Sequence, residues 1–281
     1  MDISYCNYDD INEEVLKVLN SDEKYDMYFI TDISVSDEIA KKIDNRDDSY
    51  KFILLDHHPT ALELNKYDWC NVIIENNGIK TCGTELFYQW LKNYEMFDSS
   101  NKCLDNFIQI VRDYDTWRWS ILGEKGIICK QVNDLLYLYG RDEFIKWCIS
   151  ELYDEVFPKL YAKDELVLKI KQDEIDKYVE SKNEQMFTIP LCGKTCGVVY
   201  SDRNVSELGN RLCQMHPEID FVVMIDLGNA TVAYRTVKDN IDLGRDVAAL
   251  YGGGGHPKAA GSKFNDEMRV NISKYVFGMG E

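Results

Sequence analysis

Short apolar runs alternate with amphipathic stretches through the first part of the chain. Residues 25–32 and 50–55 are each long enough for one buried strand and too short for a helix, and 72–74 is a third such run. Residues 2–8 read as a further strand ahead of them. Helical spacing appears at 36–43 and 86–91, and another helix opens at 9–14. There Asp9 and Asp10 are read as capping groups in the field of a helix N-terminus rather than as ligands. Strands alternating with helices predict an α/β domain with a doubly wound, mostly parallel sheet. Residues 105–111 are helical and run into Arg112-Asp113-Tyr114-Asp115-Thr116-Trp117-Arg118-Trp119.

From 133 to 183 the pattern stays helical, with Leu135, Leu138, Phe144, Trp147, Leu152 and Val156 as predicted buried positions. Within it, 163–182 is heavily charged, carries Leu166, Ile170 and Val179 on a thin apolar stripe, and reads as a connecting helix. A second alternating region follows. It has strands at 187–189, 196–200, 221–225 and 230–235, and helices at 205–215 and 241–250. Asp226-Leu227-Gly228-Asn229 is a hairpin turn between the last two strands. The predicted organisation is a sheet domain over 1–130, a helical connector over 131–185 and a smaller α/β domain over 186–281.

Composition narrows the function. No apolar run in the 281 residues approaches the ~18 of a membrane span, and Met1-Asp2-Ile3-Ser4-Tyr5 lacks the layout of a signal peptide. A cytoplasmic protein without a membrane partner is expected. The nine cysteines are scattered and include no CxxC, which suits reduced structural thiols. The formal charge of −17 argues against long duplex DNA, whose binding draws on a broad basic surface. It favours short or small phosphorylated substrates, met by metal ions or a local basic pocket.

Two places carry chemistry. The run 50–55 ends abruptly in Asp56-His57-His58, and ligand sites of open α/β sheets lie just beyond the carboxyl ends of strands. Carboxylate and imidazole there are good ligands for Mn or Zn, and Asp32 ends another strand in the same way. Asp113 and Asp115 are either a solvated helix end or a further carboxylate donor. Near the other end, Gly252-Gly253-Gly254-Gly255-His256-Pro257-Lys258 follows a patterned helix. Glycines let backbone N–H groups approach an anion closely, and His and Lys can then hold phosphate.

Asp56-His57-His58 joined to the downstream Gly253-Gly254-Gly255-His256 resembles the DHH phosphoesterase family, with its DHH domain followed by a DHH-associated domain of the GGGH type. Relatives there include RecJ-like exonucleases, nanoRNases and cyclic-dinucleotide phosphodiesterases, and the likeness covers essentially the whole chain. It implies a two-metal centre, usually manganese, with magnesium or cobalt as alternatives. Residue by residue, it implies Asp32 bridging both metals and His57 ligating one. Asp56 and His58 are implied as the catalytic pair orienting ligand and substrate. Asp113 matches the fourth motif, with Asp115 as the close alternative. Arg235 matches the substrate-binding arginine, and Gly253, Gly254, Gly255 and His256 match the loop holding a terminal nucleotide phosphate. The implied activity is hydrolysis of short single-stranded oligonucleotides or dinucleotides from one end. A catalytically impaired nucleotide-binding protein and a cyclic-dinucleotide phosphodiesterase are the alternatives.

The family's first motif, a histidine followed by Asp-x-Asp on the first strand, does not precede Asp32. Residues 1–7 look like the family's second strand. A start assigned too late is the expectation; a partner chain supplying the strand, or loss of catalysis, are the alternatives. An absent central strand would leave apolar edges that invite a homo-oligomer.

Overall fold

Phe52, Leu54 and Leu55 have almost no solvent exposure, and Asp56 has none. A strand buried on both faces needs such a near-continuous apolar run, and full burial of a leucine such as Leu54 contributes about 1.5–3 kcal/mol. In a computed structural model describing residues 2–96, 101–152 and 157–279, this run is the middle strand of a parallel sheet. The chain divides into two compact units, 1–168 and 169–281.

In the first unit, α1 (Ile11–Leu19) precedes β1 (Tyr28–Thr31), α2 (Asp37–Asp44), β2 (Phe52–Asp56) and β3 (Cys70–Val72). The three strands lie in the order β1-β2-β3. Tyr28 and Ile30 of β1 pair with Phe52 and Leu54 of β2, and this face packs on Ile11 and Val15 of α1 and Ile39 and Ile43 of α2. Ser36 caps α2 by accepting from the Ile39 N–H, a contact typically contributing ~1 kcal/mol. After a short ribbon, β4 (Glu75–Asn76) and β5 (Ile79–Lys80), comes α3 (Gly83–Asn93). Its Phe87 and Trp90 pack edge-on against Phe29 of β1, on the opposite sheet face. Helices thus cover both faces, as an α/β sheet requires, but these three strands show no reversal of order. Next come α4 (Lys102–Asp115), α5 (Glu124–Tyr139), α6 (Arg141–Glu151) and the start of α7 (Ala162–Gln185). They share a core containing Ile110, Val132, Leu135, Trp147 and Leu168.

In the second unit the strands are β6 (Phe187–Leu191), β7 (Lys194–Tyr200), β8 (Phe221–Asp226), β9 (Thr231–Arg235), β10 (Gly254–His256) and β11 (Ala259–Lys263). They form one mixed sheet in the order β10-β11-β9-β8-β7-β6. Only β7 and β8, linked through α8 (Val205–Met215), are parallel. One face packs Val199, Val222 and Met224 on Ile175 and Val179 of α7 and on Leu208 and Leu212 of α8. The other buries Val198, Phe221 and Tyr234 under Leu243, Val247 and Ala248. A last helix, α10, spans Asp266–Val276, following α9 (Leu243–Asp246).

Several expectations need correction. Residues 2–8 form no strand: Ile3, Tyr5 and Tyr8 are exposed, and apolar residues make a strand only where another strand takes up their backbone groups. Asp10 sits at the N-cap of α1 without a side-chain capping bond. The helical stretch 133–183 is broken between α5, α6 and α7, and Leu138, Leu166 and Ile170 are exposed. The buried stripe of α7 is Leu168, Ile175 and Val179. Val156 lies outside the described residues. The single helix expected over 241–250 is the four-residue α9 followed by a 3₁₀ turn. The glycine loop is an edge strand, β10. No helix among the described residues is long and apolar enough to cross a membrane.

Candidate active site

Parallel register aligns the ends of β1 and β2. Thr31 pairs with Leu55, the Asp32 N–H donates to the Leu55 carbonyl at 3.0 Å, and Asp56 is the next residue of β2. Two carboxylates therefore emerge side by side at the carboxyl edge of the sheet, followed by His57 and His58. Asp32 turns away from β1 with φ 62°, a left-handed conformation that Asp tolerates better than most residues. Its Oδ1 accepts from the Gly83 N–H at 3.2 Å, at the N-terminus of α3, where the helix dipole favours an anion.

Gly83 is there because nothing larger fits. A Cβ at that position would lie 2.5 Å from Asp32 Cβ and 2.6 Å from its Cα. Gly83→Ala is expected to displace the carboxylate, and a divalent cation held by this cluster would then bind about 10–100-fold more weakly, the usual cost of disturbing what supports a metal ligand. Calorimetric titration checks this, and an unchanged affinity would remove Gly83 from the account.

Asp56 is fully buried, and its carboxylate is satisfied throughout. Oδ1 accepts from the His57 N–H at 2.7 Å, the His58 N–H at 3.3 Å and His58 Nδ1 at 2.7 Å, while Oδ2 accepts from the Ser34 hydroxyl. Burial pushes its pKa up, but the hydrogen bonds from His58, Ser34 and the His57 N–H outweigh that and hold it below the ordinary value. His58 Nε2 lies 2.9 Å from the Tyr8 hydroxyl. Burial, and then the charges of Asp56, Asp32 and Asp115, push the Tyr8 phenol up to about 12.

His57 differs. Its Nε2 is 3.2 Å from Asp32 Oδ1 and 3.3 Å from Asp115 Oδ2, yet this buried nitrogen is aligned for a hydrogen bond with neither. Burial opposes the charged imidazole, but the carboxylates of Asp32, Asp115 and Asp56 raise its pKa above the ordinary value. Asp115 is pushed up by burial and by Asp32, against the opposing pull of His57. An imidazole nitrogen left open between two carboxylates is a donor set for a divalent cation. Asp32, Asp56, His57 and His58 each offer a donor atom within 4.8 Å of the others.

Asp113 is placed elsewhere. Two residues apart on a helix means about 200° of rotation, so when Asp115 faces His57, Asp113 faces away. It is buried, and its Oδ1 accepts from Arg118 at 2.9 Å and from Arg112 at 3.3 Å. Arg112 also donates to Glu85 of α3 at 2.8 Å. Of the two aspartates, the structure brings Asp115 rather than Asp113 to His57. Tyr8, Ser34 and Gly83 were not read from the sequence as site residues; no spacing signal marks them as such, because each meets the site through tertiary contact.

In the second unit, Arg235 pairs with Ala259 and Ala259 with His256. Directly opposed residues point to the same face, so Arg235 and His256 flank a small alanine two strand spacings apart, about 9.5 Å. Arg235 donates to Ser206 Oγ at 3.1 Å and to the Tyr234 carbonyl at 2.9 Å; burial pulls its pKa down. Gly253 and Gly255 are explained by packing, since a Cβ would meet the Gly261 carbonyl at 2.1 Å and the Ala259 carbonyl at 2.7 Å respectively. A Cβ at Gly254 would meet nothing within 4 Å. A cavity of about 470 Å³ lies beside these strands, lined by Ala233, Gly252, Gly253, Gly261 and Lys263 among others.

No family model matches the chain. Oligoribonuclease NrnB of Bacillus subtilis (strain 168) is 34% identical over 275 residues, covering 95% of this chain and 67% of that protein. Among solved structures, a pGpG-specific phosphodiesterase from Vibrio cholerae matches at TM-score 0.48 and 12% identity, covering 99% of this chain and 90% of its own. An exopolyphosphatase-related protein from Bacteroides fragilis matches at TM-score 0.41 and 17% identity, covering 96% and 75%. With Asp56-His57-His58 closing the middle strand of its parallel sheet and 34% identity to the oligoribonuclease over 95% of its own length, the chain belongs to the DHH phosphoesterase family.

Proposed function

We propose that this protein is a phosphodiesterase that hydrolyses short single-stranded oligonucleotides or dinucleotides from one end. Asp32, His57 and Asp115 would hold a divalent cation in this reading, manganese first, with magnesium or cobalt as alternatives, as part of a two-metal centre. The observation that carries it is the buried His57 Nε2, open between two carboxylates. The oligoribonuclease named among its relatives supports the substrate class, and the charge of −17 supports substrates with few phosphates.

Bound cations supply the Lewis acidity that neutralises a phosphodiester and lowers the pKa of water. The chain's own part is positioning. Asp56 fixes the His58 ring at the rim of the cluster, and the α3 N-terminus holds Asp32. Arg235 and His256 bind a terminal phosphate on the sheet face of the second unit, and Gly254 lets the phosphate approach the backbone. The catalytic segment is assigned to 1–130 and the terminal-nucleotide segment to 186–281, joined by 131–185.

The test is hydrolysis with manganese of linear oligoribonucleotides two to ten nucleotides long, beside a cyclic dinucleotide. Mononucleotide release fastest from the shortest linear substrates is expected. His256→Ala is expected to raise KM about tenfold, the loss of one charge-assisted contact of roughly 1.5 kcal/mol, with kcat little changed. Tight dinucleotide binding without turnover would replace the enzyme with a nucleotide receptor. Preferential cleavage of the cyclic substrate would change the substrate class.

A further inference from the structure

Two adjacent imidazoles stand in one donor cluster, and either could chemically take a cation. We propose that Tyr8 decides between them by occupying His58 and leaving His57 open. The proposal rests on the cation reading given above.

The argument follows from hydrogen-bond polarity. An ionised carboxylate only accepts, so the 2.7 Å contact between His58 Nδ1 and Asp56 Oδ1 places the ring proton on Nδ1. Nε2 of the neutral ring then carries a lone pair. The Tyr8 hydroxyl, 2.9 Å away, must donate to it. That lone pair is the one a cation would need. The Tyr8 ring also stands perpendicular to the imidazole at 5.7 Å between centroids, across the same edge. Among the described residues, His57 Nε2 has no aligned hydrogen-bond partner.

Residue 8 is anchored although 60% of it is exposed. It lies in a turn in which the Asn7 carbonyl accepts from the Asp10 and Ile11 N–H groups, both at 3.0 Å. Ile11 and Val15, just beyond, are in the core. Tyr8 is thus a positioning residue. Its single hydroxyl gives two neighbouring, chemically identical side chains different roles.

The test is long-range ¹H–¹⁵N spectroscopy of the four histidine rings in the full chain, titrated with Zn²⁺ as a diamagnetic probe. In the wild type, His58 is expected in the Nδ1–H tautomer, with zinc shifting the His57 ring and leaving that of His58 in place. In Tyr8→Phe both rings are expected to shift, and the zinc Kd to fall about tenfold, the scale on which outer partners of metal ligands act. Tyr8→Leu, which also lacks the hydroxyl, is expected to behave alike, separating the hydrogen bond from ring packing. Zinc shifting both rings in the wild type, or His58 staying off the cation in both variants, would overturn the role of Tyr8 while leaving the cation site standing. Zinc shifting neither ring in any of the proteins would overturn the cation reading and this proposal with it.

Discussion

Replacing His57 by alanine is expected to lower kcat/KM on a linear dinucleotide by about 10³-fold with saturating manganese, or roughly 4 kcal/mol of transition-state stabilisation. The size follows from position. Disturbing a group that merely supports a ligand costs about 10–100-fold, and His57 is itself the open donor, its Nε2 within 3.3 Å of both Asp32 and Asp115. Without the ring, these two carboxylates face each other with no basic group between them. Stoichiometric manganese binding is expected to fall in parallel, read by calorimetry. A His57→Ala protein that turns over at the wild-type rate with manganese would contradict the assignment.

Asp113→Ala and Asp115→Ala are expected to fail in opposite ways. Asp113 is 4% exposed, against 15% and 32% for its partners Arg112 and Arg118. Breaking a buried pair costs about 3–5 kcal/mol. Because both arginines reach solvent and Arg112 keeps Glu85, about 2–3 kcal/mol of stability is the expected loss, read as a lower urea midpoint. Asp115 stands near Asp32 in an environment that already disfavours its charge. Its removal relieves repulsion and is expected to change stability by less than about 1 kcal/mol, while activity falls at least ~10²-fold through the lost donor. The reverse pattern, with Asp113→Ala stable but inactive and Asp115→Ala unstable but active, would exchange their roles.

Much of this site was legible before any coordinates. Asp32 and Asp56 each close an apolar run, and a run too short for a helix and too apolar for a surface is a buried strand whatever its neighbours. The Gly-rich segment ending in His256 was marked by composition. The reading failed where partners decide. Residues 2–8 alternate well enough for a strand, yet no strand among the described residues pairs with them, and Tyr8 ends in a turn beside His58. Residues 241–250 have helical spacing, but Gly244 lies against the Gly255 carbonyl, where a Cβ would come within 2.4 Å, and the segment breaks after α9.

The sequence by itself determined where the strands of the first sheet must end and that carboxylates and imidazoles follow them, because burial and turn-forming residues act over a few neighbouring positions. Tertiary structure decided their assignment. It turned Asp115 toward His57 and Asp113 toward the arginines, gave Tyr8 to His58, and set Gly83 against Asp32. Each of those choices depends on which distant groups come within about 3 Å, the distance at which a hydrogen bond or an ion pair is made or lost.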